Sequence, residues 1–169
     1  SMLLTSERVY SDMLDWLWYG EPEQIVLRKW EPELSLDHEF RLYVHKNQLT
    51  AISQYDHYCR YDHLFELKDR LQPRMAALWR EIHPHVGSAS YGMDLCYLPA
   101  SDRLMLVELS PFLRCTGAHC FRWNSAADVD ILEGRSDFEF RLVETSADSF
   151  DEMFANGWEQ RWLRESDPP

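Results

Sequence analysis

"LMLVELSPF", residues 104–112, decides how this chain is read. Apolar residues alternate along it with the two-residue period of a strand. On that period Glu108 shares a face with Leu104 and Leu106, Ser110 follows on the same face, and Pro111 ends the strand. A carboxylate on an apolar face needs a partner, because an unpaired buried charge is costly. Upstream, "PASD" (99–102) carries turn formers and "SYGMDLCYL" (90–98) is a second apolar strand. A hairpin closing there pairs positions whose numbers sum to about 201 or 202, which sets Asp94 opposite Glu108. Opposed side chains project from one face, so the two carboxylates meet, with the Ser110 hydroxyl one step along. Hard oxygens in this arrangement suit Mg2+, which prefers to share its ligands with phosphates. From the residues alone, an ion pair with an arginine such as Arg41 or Arg141, or a solvated sheet face, is the favoured explanation of Glu108.

Helical and extended periods alternate along the rest of the chain. Residues 4–19 read as an amphipathic helix with Val9, Met13 and Leu17 on one stripe and Gly20 as its stop. "QIVLRKW" (24–30) reads as a short strand, and "HEFRLYVHKNQLTAIS" (38–53) as a hairpin turning at Lys46-Asn47. From Leu64 the spacing is helical through Leu67, Leu71, Met75, Leu78 and Ile82, with Pro73 inside the stripe predicting a kink or two abutting helices. "DFEFRLVE" (137–144) is a further alternating strand, and residues 147–169 form an acidic, aromatic tail with Phe150, Phe154, Trp158 and Trp162 at helical spacing. The expected fold is α+β: one domain over 1–169, an antiparallel sheet with helices packed on one face.

Composition narrows the function classes. At 169 residues and 45% apolar, the chain can bury ~70% of its unfolded surface. A net charge of −12 opposes phosphate backbones and anionic lipid, which argues against nucleic-acid and membrane partners. There is no apolar run of ~20 residues that would span a bilayer. Ser1-Met2 reads as an expression remnant, which leaves room for sequence upstream. Cys59, Cys96, Cys115 and Cys120 make no CxxC pair, so reduced thiols and a cytoplasmic location are expected. Zinc sets drawn from Cys115, His119 and Cys120, or from His83 and His85, lack the usual spacing and a fourth ligand.

Three stretches together resemble the cell division cycle protein 123 (D123-like) family: "IVLRKWEPELSLDHEFRLYVHKNQLTAISQYDHYCRYDH", "YGMDLCYLPASDRLMLVELSPF" and "FEFRLVETS". The resemblance runs from about Ile25 to Ser146 and rests on Arg-Lys-Trp, Glu-Phe-Arg, Ala-Ile-Ser-Gln and an acidic-x-polar-Pro-Phe ending, in that order. It implies an ATP-grasp fold, here its carboxy-terminal lobe, and a chaperone role in assembling eukaryotic translation initiation factor two. It also implies ATP and Mg2+ as cofactors and a protein as partner. Lys29 and Trp30 would form the segment that holds adenine, with Arg28 and Arg41 near the phosphates and Asp94 as the first metal ligand. Glu108 stands where the family usually has Asp, although ATP-grasp proteins more widely have Glu there. Ser110 stands where both have Asn. About twenty residues precede Ile25, too few for the family's amino-terminal lobe with its phosphate-contacting Lys, and half a clamp excludes water poorly.

Two functions follow as expectations. One is Mg-ATP binding, with ligation of a carboxylate to an amine through an acyl phosphate as its possible chemistry. The other is a protein-interaction module that has lost nucleotide, docking through "SQYDHYCRYDH" (53–63) and the aromatic tail. A hydrolase is not expected, because no nucleophile elbow is present.

Overall fold

The computed structural model describes residues 7–20 and 28–147. Two compact units divide the chain, Ser1–Pro32 and Glu33–Pro169. In the first, helix α1 (Glu7–Tyr19) stops where the sequence places its stop. Gly20 takes the left-handed φ of 70° and donates its N–H to the Trp16 carbonyl at 2.8 Å. The strand expected over 24–30 lies partly outside the described residues, and its described part, 28–30, is irregular. The aromatic tail from Phe150 lies wholly outside them.

The second unit holds β1 (Glu39–His45), β2 (Gln48–Gln54), α2 (Asp62–Ile82), β3 (Tyr91–Leu98), β4 (Arg103–Pro111), α3 (Ala126–Leu132) and β5 (Glu139–Arg141). The strands form one sheet in the order β4-β3-β1-β2-β5. The four long strands pair antiparallel, and the three-residue β5 adds to β2 in parallel. The β1–β2 turn is the expected Lys46-Asn47, both with positive φ (49° and 65°), as a two-residue hairpin turn requires.

Each face of the sheet has its own cover. Alternation sends Phe40, Leu42 and Val44 of β1 and Met93, Leu95 and Tyr97 of β3 to one face, where they pack against Leu64, Leu71 and Met75 of α2. The helix runs through Pro73 as one element rather than two, with buried Leu71 and Met75 anchoring it on both sides of the proline. On the other face Tyr43 and Ala51 pack against Phe121 and against Ile131 and Leu132 of α3, near the β2 side. The remainder of that face, toward β4, is polar.

A bulge in β4 corrects the first reading of "LMLVELSPF". Asp94 pairs with Glu108 as the hairpin arithmetic requires, but the next residue, Leu95, pairs with Leu106, so Val107 is the extra residue. Phase shifts by one at that point. Leu104 and Leu106 therefore join the core under α2, while Glu108 turns to the opposite, polar face. Glu108 is therefore not a carboxylate on the apolar face.

Candidate functional site

The polar face is built around an ion pair. Arg41 and Asp94 are directly opposed across β1 and β3, two interior strands. Arg41 Nε donates to Asp94 Oδ1 at 2.7 Å and Nη2 to Oδ2 at 2.6 Å, the bidentate fork that Arg makes with a carboxylate. The side chains are 6% and 1% exposed. Burial pulls the guanidinium pKa down, but the Asp94 contact outweighs it and holds Arg41 above its ordinary value. Burial pushes the Asp94 carboxyl up against the pull of Arg41, and the Glu108 charge adds to that push.

Around this pair the neighbouring strands set further polar groups. Glu39, two residues before Arg41 and so on the same face, is buried, and its carboxyl is pushed up to about 7. Burial is the main cause, with Asp94 and Glu108 adding to it and Arg41 opposing. Glu108 sits on the edge strand β4 and is exposed. Ser110 pairs with Gly92, where a Cβ would stand 2.8 Å from Ser110 Oγ and make the hydroxyl shift. Ser110 Oγ is buried without a hydrogen-bond partner.

The chain beyond Pro111 folds back over this face. The Pro111 carbonyl accepts from Leu113 N at 3.0 Å and from Thr116 Oγ1 at 2.9 Å, which reverses the backbone. Gly117 then accepts from Arg41 Nη1 at 3.3 Å, and Ala118 from the Tyr43 hydroxyl at 2.7 Å. His119 follows at a positive φ of 53°. Its Nδ1 lies 2.7 Å from the Tyr55 carbonyl, an acceptor, so the neutral ring carries its proton on Nδ1 and leaves Nε2 as a buried acceptor without a partner. Burial, with the Arg41 charge adding, drives the His119 pKa down to about 3. The Tyr55 ring lies against His119 at a 37° tilt with centroids 4.4 Å apart, and Arg41 lies over the Tyr55 ring at 5.4 Å.

Of the residues singled out in the sequence, the structure brings Arg41, Asp94, Glu108 and Ser110 to one face. Arg28, Lys29 and Trp30 belong to the first unit, exposed and in irregular backbone. Arg141 is engaged by Asp128 and Glu139 at 2.8 and 2.7 Å. The segment 53–63 is tied down: Gln54 Nε2 donates to the carbonyls of Asp56 and Cys59, both at 2.6 Å, and its Oε1 accepts from Val143 N at 3.1 Å. Glu39, Tyr55 and His119 were missed as members of the site. Strand alternation from Arg41 points to Glu39, whereas His119 arrives through a loop whose path no local pattern encodes.

Oxygen donors of the kind a hard cation takes line this face. Asp94 keeps lone pairs beyond the two used by Arg41, Glu108 is open to solvent, and the Ser110 hydroxyl is buried with an unused oxygen.

Against known proteins, the match is to the D123 family model over residues 19–160, and the chain belongs to that family. Among curated relatives it is 33% identical over 132 residues to the cell division cycle protein 123 of Candida glabrata, covering 74% of this chain and 35% of that protein. It is 32% identical over 104 residues to the "Translation initiation factor eIF2 assembly protein" of Dictyostelium discoideum, covering 61% and 27%. The chain thus spans about a third of the length of these relatives. The solved structure of Cdc123 from Schizosaccharomyces pombe shares the fold at a TM-score of 0.66 and 21% identity, over 85% of this chain and 59% of that one. Among the described residues no helix is long and apolar enough to cross a membrane.

Proposed function

We propose that this chain acts with a protein partner in assembling translation initiation factor eIF2, and that its polar sheet face binds Mg2+ together with the phosphates of ATP. Relatives named as eIF2 assembly proteins support the first part. The observation that carries the second is the convergence of Arg41, Asp94, Glu108 and the partnerless Ser110 Oγ on one face. Asp94, Glu108 and Ser110 would hold the metal, which when bound neutralises phosphate charge. Arg41, locked in orientation by Asp94, would supply a fixed positive charge beneath the phosphates. Arg28, Lys29 and Trp30, which lie in the first unit, are proposed as nucleotide contacts on the resemblance alone.

Calorimetric titration of ATP with and without Mg2+ tests this reading. Glu108→Gln keeps the shape and removes the charge, so Mg-dependent affinity should fall sharply, while Ser110→Asn should raise it. If Glu108 is only an exposed surface carboxylate, Glu108→Gln changes stability by ~0–1 kcal/mol and leaves nucleotide behaviour unchanged. Absence of heat for all three proteins at millimolar nucleotide would favour the second reading, an interaction module. The exposed aromatic surface of α1, including Tyr10, Trp18 and Tyr19, supports that alternative.

A further inference from the structure

Away from the polar face, a second cluster of metal-ligating side chains forms where the chain enters β1. A single turn of 3-10 helix, Leu36–His38, precedes β1, and the first turn of α2 brings His63 beside it. Asp37, His38 and His63 each offer one ligand atom, and these atoms all lie within 4.8 Å of one another; no other such trio exists among the described residues. His38 Nδ1 is 3.0 Å from Asp37 Oδ1, and His63 Nε2 is 3.9 Å from Asp37 Oδ2. Bonds of 2.0–2.1 Å to a tetrahedral or octahedral ion place neighbouring ligand atoms roughly 3–3.5 Å apart, so the set closes once His63 Nε2 turns to the ion from the Asp37 carbonyl, 3.2 Å away.

The composition of the trio is selective. Two imidazoles and one carboxylate form the set that transition ions of the Zn2+ and Co2+ type prefer, whereas Mg2+ seeks oxygen alone. The two imidazole centroids are 4.7 Å apart, close enough for both rings to reach one ion. The Ser35 hydroxyl donates to Asp37 Oδ1 and orients the carboxylate, as outer groups do around metal ligands. The side chains of Asp37, His38 and His63 are 32%, 17% and 39% exposed, which leaves an open side for water ligands.

We infer that Asp37, His38 and His63 form a site for a divalent transition ion of the Zn2+ class, pinning the 3-10 turn before β1 to the start of α2. The site is independent of the nucleotide reading, because it shares no ligand with Asp94, Glu108 or Ser110. The test uses the whole chain, freed of metal by chelation and titrated with Co2+ in the visible range, then with Zn2+ in competition. One Co2+ per chain should give ligand-field absorption that Zn2+ abolishes. His63→Gln, on a half-exposed ring whose loss leaves the core intact, should weaken binding more than ~100-fold, beyond the loss typical of an outer-shell change. Asp37→Asn should do the same, with far-UV circular dichroism reporting that each variant is folded. His85→Gln, at an exposed histidine outside the trio, should leave binding unchanged. The inference is overturned if no absorption develops at millimolar Co2+, if His63→Gln and Asp37→Asn bind as tightly as wild type, or if His85→Gln weakens binding as much as they do.

Discussion

The two faces of the central sheet are built from alternate residues of the same strands, yet they are held by different physics. Under α2 the contacts are apolar and non-directional, and stability there scales with area and packing. On the opposite face, toward β4, Arg41 and Asp94 are locked by two directional hydrogen bonds, and neighbouring groups are tuned by burial and by each other's charge. The apolar face can absorb substitutions of similar volume. The polar face cannot, because removing either member of a buried pair strands the other. Among its described residues this face leaves Ser110 Oγ and His119 Nε2 without hydrogen-bond partners. One face specifies the fold, and the other is the one proposed to bind.

The sharpest contrast on the apolar side comes from Leu71→Ala. Leu71 is fully buried between α2 and the sheet, and truncating it should cost ~2–5 kcal/mol in urea unfolding, with the electrostatic properties of the other face unchanged. On the polar side, His119 gives stability a pH dependence. Its folded pKa of about 3 lies below the ordinary 6.5, so the unfolded chain binds a proton that the folded chain refuses. Stability is then complete above pH 6.5 and falls as pH drops toward 3, with a limiting slope of ~1.4 kcal/mol per pH unit. Between pH 6.5 and 5 the wild type should lose roughly 2 kcal/mol relative to His119→Asn, since Asn tolerates the same left-handed backbone but does not titrate. Parallel curves for the two proteins would remove His119 from this account.

The smallest effect separates two phasings of β4. If Val107 is the extra residue, deleting it leaves Glu108, Leu106 and Met105 opposite Asp94, Leu95 and Cys96 in a regular ladder with both faces intact. The deletion should then change stability by about 1 kcal/mol or less. Had the strand been regular, the same deletion would flip either Leu104 and Leu106 or Glu108 and Ser110 to the wrong face, and folding would fail.

That bulge also marks the limit of what the sequence made legible. Periodicity placed α2, both hairpins and the Asp94–Glu108 pairing, because turn chemistry at 46–47 and 99–102 fixes register from local residues. It misplaced Glu108 relative to Leu104 and Leu106, because a bulge is invisible to a strict two-residue period. It proposed Arg41 among several partners for a carboxylate, and the structure assigns it to Asp94 rather than Glu108 because those two strands are adjacent in the interior. The β5 strand shrank to Glu139–Arg141 and paired in parallel, a long-range choice that no local alternation encodes. His119 became part of the polar face only through the return of the loop after Pro111.

The central claim is that a buried, mutually dependent Arg41–Asp94 pair organises the polar face, and a double-mutant cycle in urea tests it most directly. Arg41→Leu and Asp94→Leu should each cost ~3–5 kcal/mol, because each leaves an uncompensated charge in the interior, while the double variant should return close to wild-type stability. Single losses that simply add in the double variant would show two residues acting independently, and the account of this face would be wrong.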